Sequence, residues 1–307
     1  MKVSFLHFYI IMTALITCST AFASQEWMPY RGATALSSID EVDIRDFARY
    51  GGQVLRVSFN DRPLLTKTPP FSYDIVAWNR LDRIIRWGVE YDVKIIIDPH
   101  TFPGIRSNMS TQPTDEIWRS EKFQNLVVKL WGKIAERYSS QGDVIAGYDL
   151  LNEPAVPKGE YNGPLAWNAL AQRIIEEIRR YDHKHFVIVE SVLGDANYKL
   201  VNNSFRSFEY MKVIQDEKIV YSPHMYMPGG LTHQGLGKNK IGINYPGVID
   251  GVEWDRDHLK KVMMPAYLFS KKHGVPIFIG EFGATRFGGK SAERYIQDLI
   301  SIFNGWG

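Results

Sequence analysis

Short, unbroken runs of β-branched and other apolar residues recur along the chain, and a helical stretch follows each of them. Residues 54–59, 93–98, 145–151, 186–189, 219–221 and 275–279 are the clear runs, and 30–34 is a weaker one ahead of them. A strand with one wet face alternates polar and apolar residues. These runs do not alternate, so the sheet they form is covered on both faces. Between them, residues 73–90 place Ile75, Trp78, Leu81, Ile84, Ile85 and Val89 at three- and four-residue spacing. Comparable stripes follow Thr114-Asp115 (Ile117, Phe123, Val127, Leu130, Ile134) and cover 165–181, 255–273 and 291–303. Strands alternating with helices predict a parallel sheet with right-handed crossovers, either an open doubly wound sheet or a closed barrel.

Two features favour the barrel. An open dinucleotide-binding sheet needs a Gly-x-Gly-x-x-Gly turn after an early strand, and the one glycine-rich stretch, 229–247, follows no early strand. Polar residues instead close almost every apolar run, which is how a (β/α)₈ TIM barrel builds its site. Seven strand–helix units are legible, and an eighth strand is expected to start at Asn304-Gly305-Trp306-Gly307. The barrel is therefore expected to be truncated at the start of its eighth strand, with open edges on either side.

The first residues belong to no unit of this pattern. Met1 and Lys2 precede a mostly apolar stretch, 5–16, and Ala21-Phe22-Ala23 supplies a small-x-small cleavage pattern. Residues 1–23 read as a signal peptide and 24–307 as a single catalytic barrel, secreted or periplasmic. A membrane anchor is the alternative, but the run is shorter than the ~20 residues of a span and is broken by Thr13, Thr17 and Ser19. A lipoprotein reading at Cys18 meets a poor residue in Thr17. Cleavage would remove Lys2 and Cys18, taking 36 basic residues to 35 against 34 acidic and leaving no cysteine. Disulfides and thiolate chemistry are then excluded, and near-balanced charge gives no footprint for nucleic acid. The mature chain is expected to be a monomer without a membrane span.

In order, the runs end at Arg56, His100, Asn152-Glu153, Glu190, His224 with Tyr226, and Glu281. Paired carboxylates among such neighbours suit glycoside hydrolysis. One carboxyl group protonates the leaving oxygen, and the other attacks the anomeric carbon or activates water. Asp149-Leu150-Leu151-Asn152-Glu153-Pro154 and Gly280-Glu281-Phe282-Gly283 resemble glycoside hydrolase family five, the cellulase-like retaining glycosidases. Arg56, His100 and His224-Met225-Tyr226 fall in that family's order, and the likeness runs from about Arg31 onward.

The resemblance implies Glu153 as acid/base and Glu281 as nucleophile, with their carboxyl groups about 5 Å apart and retention of configuration. It implies Asn152 on the sugar 2-hydroxyl, Tyr226 and Arg56 on the Glu281 carboxylate, and His100 and His224 on the sugar or the acid/base. Trp306 is the candidate for the tryptophan platform carried by the family's eighth strand. The chain departs from the family where Arg31-Gly32-Ala33-Thr34-Ala35 lacks an asparagine and where Pro99 precedes His100. The substrate class is a β-1,4-linked polysaccharide or oligosaccharide, β-glucan first and mannan or another β-linked polymer second. No cofactor or metal is implied.

Other readings stay open. Glu190 suits an ion pair as well as chemistry, and Asp98 and Asp149 suit a buried network. His183-Lys184-His185 reads as a turn without a third ligand at metal spacing. Trp118, Trp167, Trp254 and Tyr245 are subsite candidates, whereas Trp78, Trp87 and Trp131 sit on helical stripes. A barrel that binds carbohydrate without cleaving it is the competing function.

Overall fold

The structure, a computed structural model, describes residues 27–105, 116–156, 164–193 and 204–306. The leader assigned to 1–23 and the helix start at Thr114-Asp115 lie outside them. The described chain runs β1 (Gly32–Leu36), α1 (Glu41–Arg49), β2 (Val54–Ser58), α2 (Ile75–Glu90), β3 (Lys94–Asp98), α3 (Glu116–Arg119), α4 (Glu121–Tyr138), β4 (Ile145–Asp149), α5 (Pro164–Arg179) and β5 (Phe186–Glu190). It continues through β6 (Ile219–Ser222), β7 (His224–Met225), α6 (Gly229–Thr232), β8 (Gly247–Ile249), β9 (Val252–Trp254), α7 (Arg256–His273), β10 (Glu281–Phe282) and α8 (Gly289–Trp306).

β1 to β6 form one parallel sheet in sequence order. A parallel bridge from Tyr221 to Ile277 and the parallel β7–β10 pair add the seventh strand position. This is the (β/α)₈ barrel class, with helices outside and strands inside. The apolar runs hide a period of two that burial alone cannot show, because each strand faces two cores. Leu55, Val57, Ile95, Ile97, Val187 and Val189 pack outward in the large core beneath the helices. Val54, Ile96, Ala146, Phe186, Ile188 and Val220 point inward and fill the lower barrel. Trp27 plugs its floor, edge-on to Phe186 at 5.3 Å and to Phe278 at 5.5 Å. Further up the same inward faces the side chains are Arg56, in the middle of β2, and Asp98 and Glu190, the last residues of β3 and β5.

Local chemistry sets the helix ends. Asp40 and Asp43 form a reciprocal capping box on α1, and the carboxylates of Asp74 and Asp255 cap α2 and α7. Gly274 ends α7 at φ +65°, a conformation that glycine adopts without strain.

The expected eighth strand is corrected at its starting point. α8 continues through Asn304, Gly305 and Trp306, carried by the apolar spacing Tyr295, Leu299, Ile302, Trp306, so these residues are helical. Among the described residues no strand lies between β1 and β10. The free edge of β1 is largely exposed, and Thr34 Oγ1 donates across the seam to the Gly280 carbonyl at 3.2 Å. No helix among the described residues is long and apolar enough to cross a membrane.

Candidate active site

The upper barrel is organised around one guanidinium. Arg56 stands at the middle of β2 and is 1% exposed. Its Nε donates to Asp149 Oδ2 at 2.6 Å, and its Nη1 to Glu281 Oε1 at 2.7 Å. Nη2 donates to Glu190 Oε1 at 2.8 Å and Asn152 Oδ1 at 3.0 Å, and lies 3.0 Å from Asp98 Oδ2. Burial works against the charge on Arg56, but the carboxylates of Asp98, Asp149, Glu190 and Glu281 outweigh it and hold the guanidinium firmly protonated. One cation cannot balance that many anions. Burial, followed by the repulsion of Glu190, pushes the Asp149 carboxyl well above the usual range despite Arg56. Asp149 Oδ1 has no hydrogen-bond partner among the described residues.

Glu281 opens β10 opposite His224 of β7 in the parallel register. The preceding Gly280 is needed for that approach, since a Cβ there would sit 2.5 Å from Ser222 Oγ and 3.0 Å from His224 Nε2. Tyr226 donates its hydroxyl to Glu281 Oε2 at 3.0 Å. Burial would raise the Glu281 pKa, but His224, Arg56 and His100 together with the Tyr226 hydroxyl bring it down to about 2. The group is an ionised, aimed carboxylate. The Tyr226 phenol, buried beside it, is pushed up and stays a donor.

Glu153 follows β4 in the turn Asn152-Glu153-Pro154. Its φ is +45°, costly for a side-chain-bearing residue and more so before proline. Its backbone N–H donates to Glu190 Oε2 at 2.6 Å, and its Oε1 lies 3.0 Å from His224 Nδ1. His224 Nε2 lies 3.3 Å from Glu190 Oε1 without hydrogen-bond alignment, so that contact is an ion pair. Burial would strip the His224 proton; Glu190, Glu153 and Glu281 hold it well above the usual imidazole range. His100, at φ +62° directly after Pro99, sets Nδ1 2.7 Å from Asp98 Oδ2. Burial opposes its charge too, but Asp98 prevails and raises its pKa.

Donor atoms of Glu153, His224 and Glu281 all lie within 4.8 Å of one another. That spacing could hold an ion on distance alone. Arg56 and Tyr226 already donate to the two Glu281 oxygens, so that carboxylate is committed to hydrogen bonds.

Most of the predicted residues meet here: Arg56, His100, Asn152, Glu153, His224, Tyr226 and Glu281 share one rim, and Asp98 and Asp149 form the network beneath. Trp306 does not join them. It ends α8, a helix that starts beyond β10 at the rim and runs 18 residues, about 27 Å, toward the opposite face. There its ring lies tilted by 31° against Tyr267, with centroids 4.7 Å apart. The spacing that extends α8 to Trp306 was available in the sequence. The subsite candidates are also corrected. Trp118, Trp167, Trp254 and Tyr245 are at most 7% exposed, and three of them tie their polar atoms inward, to the carbonyls of Ala155 and Glu190 and to the Asp298 carboxylate. Sequence reasoning left Glu190 undecided. Its distinguishing signal is phase, since it shares the inward face of β5 with Phe186 and Ile188.

A family model described as Cellulase (glycosyl hydrolase family 5) matches residues 18–304. Endoglucanase C of Acetivibrio thermocellus is 26% identical over 292 residues, covering 86% of this chain and 80% of that protein. A solved glycoside hydrolase superposes with a TM-score of 0.75 at 21% identity, over 91% of this chain and 86% of that one. A hyperthermophilic endo-β-1,4-glucanase solved in complex with substrate gives 0.73 at 21% identity, over 90% and 86%. The two superpositions show a shared fold.

Proposed function

The chain belongs to the cellulase family, glycosyl hydrolase family 5, and from that premise we propose that it is an exported retaining endo-glycosidase that cleaves internal β-1,4 bonds of a glucan. One observation carries this reading: two facing glutamates with donor oxygens within 4.8 Å, one of them held ionised at about 2. That separation suits a carboxylate that attacks the sugar directly and leaves no room for an interposed water. Glu281 attacks the anomeric carbon as the glycosidic C–O bond breaks, and Glu153 gives its proton to the leaving oxygen. Water then attacks the glycosyl–Glu281 ester, Glu153 takes the water's proton, and the Glu281 carboxylate is restored. In this reading Asn152, whose Oδ1 accepts from Arg56, binds the sugar 2-hydroxyl. Export rests on the leader-like residues 1–23, and the β-glucan preference on the name of the relative from Acetivibrio thermocellus.

Reducing-end release on soluble β-glucan, mannan and xylan, measured beside Glu281→Gln, tests the reading. Hydrolysis of β-glucan is expected, with a loss on the order of 10⁴-fold or more in the variant. Hydrolysis of mannan alone would move the substrate class. Binding of these polymers without cleavage by the unaltered chain would replace the enzyme with a carbohydrate-binding barrel.

A further inference from the structure

Glu190 lies at the end of β5, is 1% exposed and touches both halves of the reaction at once. Oε2 accepts the Glu153 backbone N–H at 2.6 Å. Oε1 accepts from Arg56 Nη2 at 2.8 Å, and the Nη1 of the same guanidinium reaches Glu281 Oε1 at 2.7 Å. Oε1 also lies 3.3 Å from His224 Nε2, on the ring whose Nδ1 faces Glu153 Oε1 at 3.0 Å.

We infer that Glu190 is a positioning residue of the reaction: its carboxylate holds the Glu153 backbone in the left-handed conformation and, 3.3 Å from Nε2, keeps the His224 ring protonated on both nitrogens. The inference rests on the reading of Glu153 as the acid/base. A His224 ring protonated on both nitrogens can only donate to Glu153 Oε1, so the acid proton stays on the other oxygen, free for the leaving group. A neutral ring keeping its hydrogen on Nε2, toward Glu190, would turn the Nδ1 lone pair on Glu153 and draw that proton away.

The surroundings leave this task to Glu190. On the Nε2 side of His224 the chain comes so close at Gly280 that a Cβ there would sit 3.0 Å from the ring. The other charged groups around the pair are Arg56 from β2, Asp98 from β3 with His100 beyond it, Asp149 from β4, Glu153 and Glu281. Of these, Glu153 and Glu281 face Nδ1, at 3.0 and 3.8 Å. Glu153 also depends on Glu190 for its backbone: a residue at φ +45° ahead of proline needs something to hold it there, and its N–H is anchored by this carboxylate.

Glu190→Gln keeps the shape, removes the charge and sets an amide NH₂ against one of the donors the carboxylate now serves. On soluble β-glucan, kcat is expected to fall about 10- to 100-fold with KM held within about threefold. The alkaline limb of kcat/KM is expected to move down by about one pH unit, and an NMR titration of the His224 imidazole to move the same way. Glu190→Asp keeps the charge but is too short to hold the Glu153 N–H, so it should lower kcat while leaving the alkaline limb in place. An unmoved alkaline limb and an unmoved His224 titration in Glu190→Gln would overturn the inference. Should Glu190→Gln fail to fold, Glu190→Asp decides: unaltered kcat overturns it, and reduced kcat with an unmoved limb upholds it. A chain inactive on every polymer would sink the proposed function, and the His224 titration would still decide the role of Glu190.

Discussion

Among the described residues, two ion clusters sit at opposite ends of the barrel, built on opposite principles. At the lower end, just ahead of β5 and β6, Arg179 grips Asp216 with two parallel bonds of 2.7 and 2.9 Å and spends Nη1 on the carbonyls of Asp182 and His185. Asp182 accepts from Tyr148 at 2.6 Å, from His185 Nδ1 at 2.5 Å and from the backbone of Lys184 and His185. His185 Nε2 ends the network on the Gly142 carbonyl at 2.8 Å. Each carboxylate here has its own hydrogen-bond donors.

The upper cluster sets Arg56 against four carboxylates. Asp98 Oδ1, Asp149 Oδ1, Ser222 Oγ and His224 Nε2 have no hydrogen-bond partner among the described residues. A satisfied cluster is a staple that fixes where strands begin. An over-acidic one raises the proton affinity of Asp149, His100 and His224, and shifted proton affinities are what acid–base chemistry uses.

The strongest way to break this contrast is Arg56→Ala. It leaves Asp98, Asp149, Glu190 and Glu281 crowded without their cation, and a loss of about 3–5 kcal/mol in urea unfolding is expected. A loss under 1 kcal/mol would mean that the carboxylates simply take up protons and that Arg56 serves orientation alone. Asp182→Asn should cost less, about 1–3 kcal/mol, while leaving kcat/KM per folded molecule unchanged. A matching fall in kcat/KM would show that the lower cluster also sets the rim.

The pH dependence of stability separates the clusters more finely. Glu281, Asp182 and Asp216 all sit below their ordinary values once burial is outweighed, by His224, Arg56, His100 and Tyr226 for Glu281, by His185 and Tyr148 for Asp182, and by Arg179 for Asp216. Each adds stability that is complete above the ordinary carboxylate range and is lost as the pH falls through the folded value, about 2 for Glu281. His100 and His224 sit above their ordinary 6.5, so their contribution is complete below that pH and is lost as the pH rises through the folded values. Acid loss is therefore shared between the clusters, and the upper one adds an imidazole-linked alkaline loss. In thermal melts across pH, His224→Gln should flatten the alkaline fall by up to about 1.4 kcal/mol per pH unit and leave the acid fall in place. An alkaline fall of the same steepness in that variant would take His224 out of the account.

Much of the upper cluster was legible before any fold was known. Arg56, His100, Asn152, Glu153, His224, Tyr226 and Glu281 each interrupt or end an apolar run, and a parallel barrel delivers the ends of its strands to one rim. The lower cluster was not legible. His183-Lys184-His185 read as a turn, and nothing local to it announces Tyr148 or Gly142, which lie 37 and 43 positions from His185. Trp306 failed in the other direction. An expected strand overrode a helical spacing that Tyr295, Leu299 and Ile302 already carried.

What the sequence determined by itself is periodicity and order: which stretches are strands, which are helices, and which side chains stand at strand ends, because spacing along a chain sets the face on which a residue lies. What only the tertiary structure decided is which charges share a guanidinium, which carboxyl is pushed above its ordinary range, and that one buried glutamate reaches both the backbone of Glu153 and the ring of His224. Those are distances between residues far apart in the chain. A pKa inside a protein depends on burial and on neighbouring charges, and neither exists until the barrel has folded.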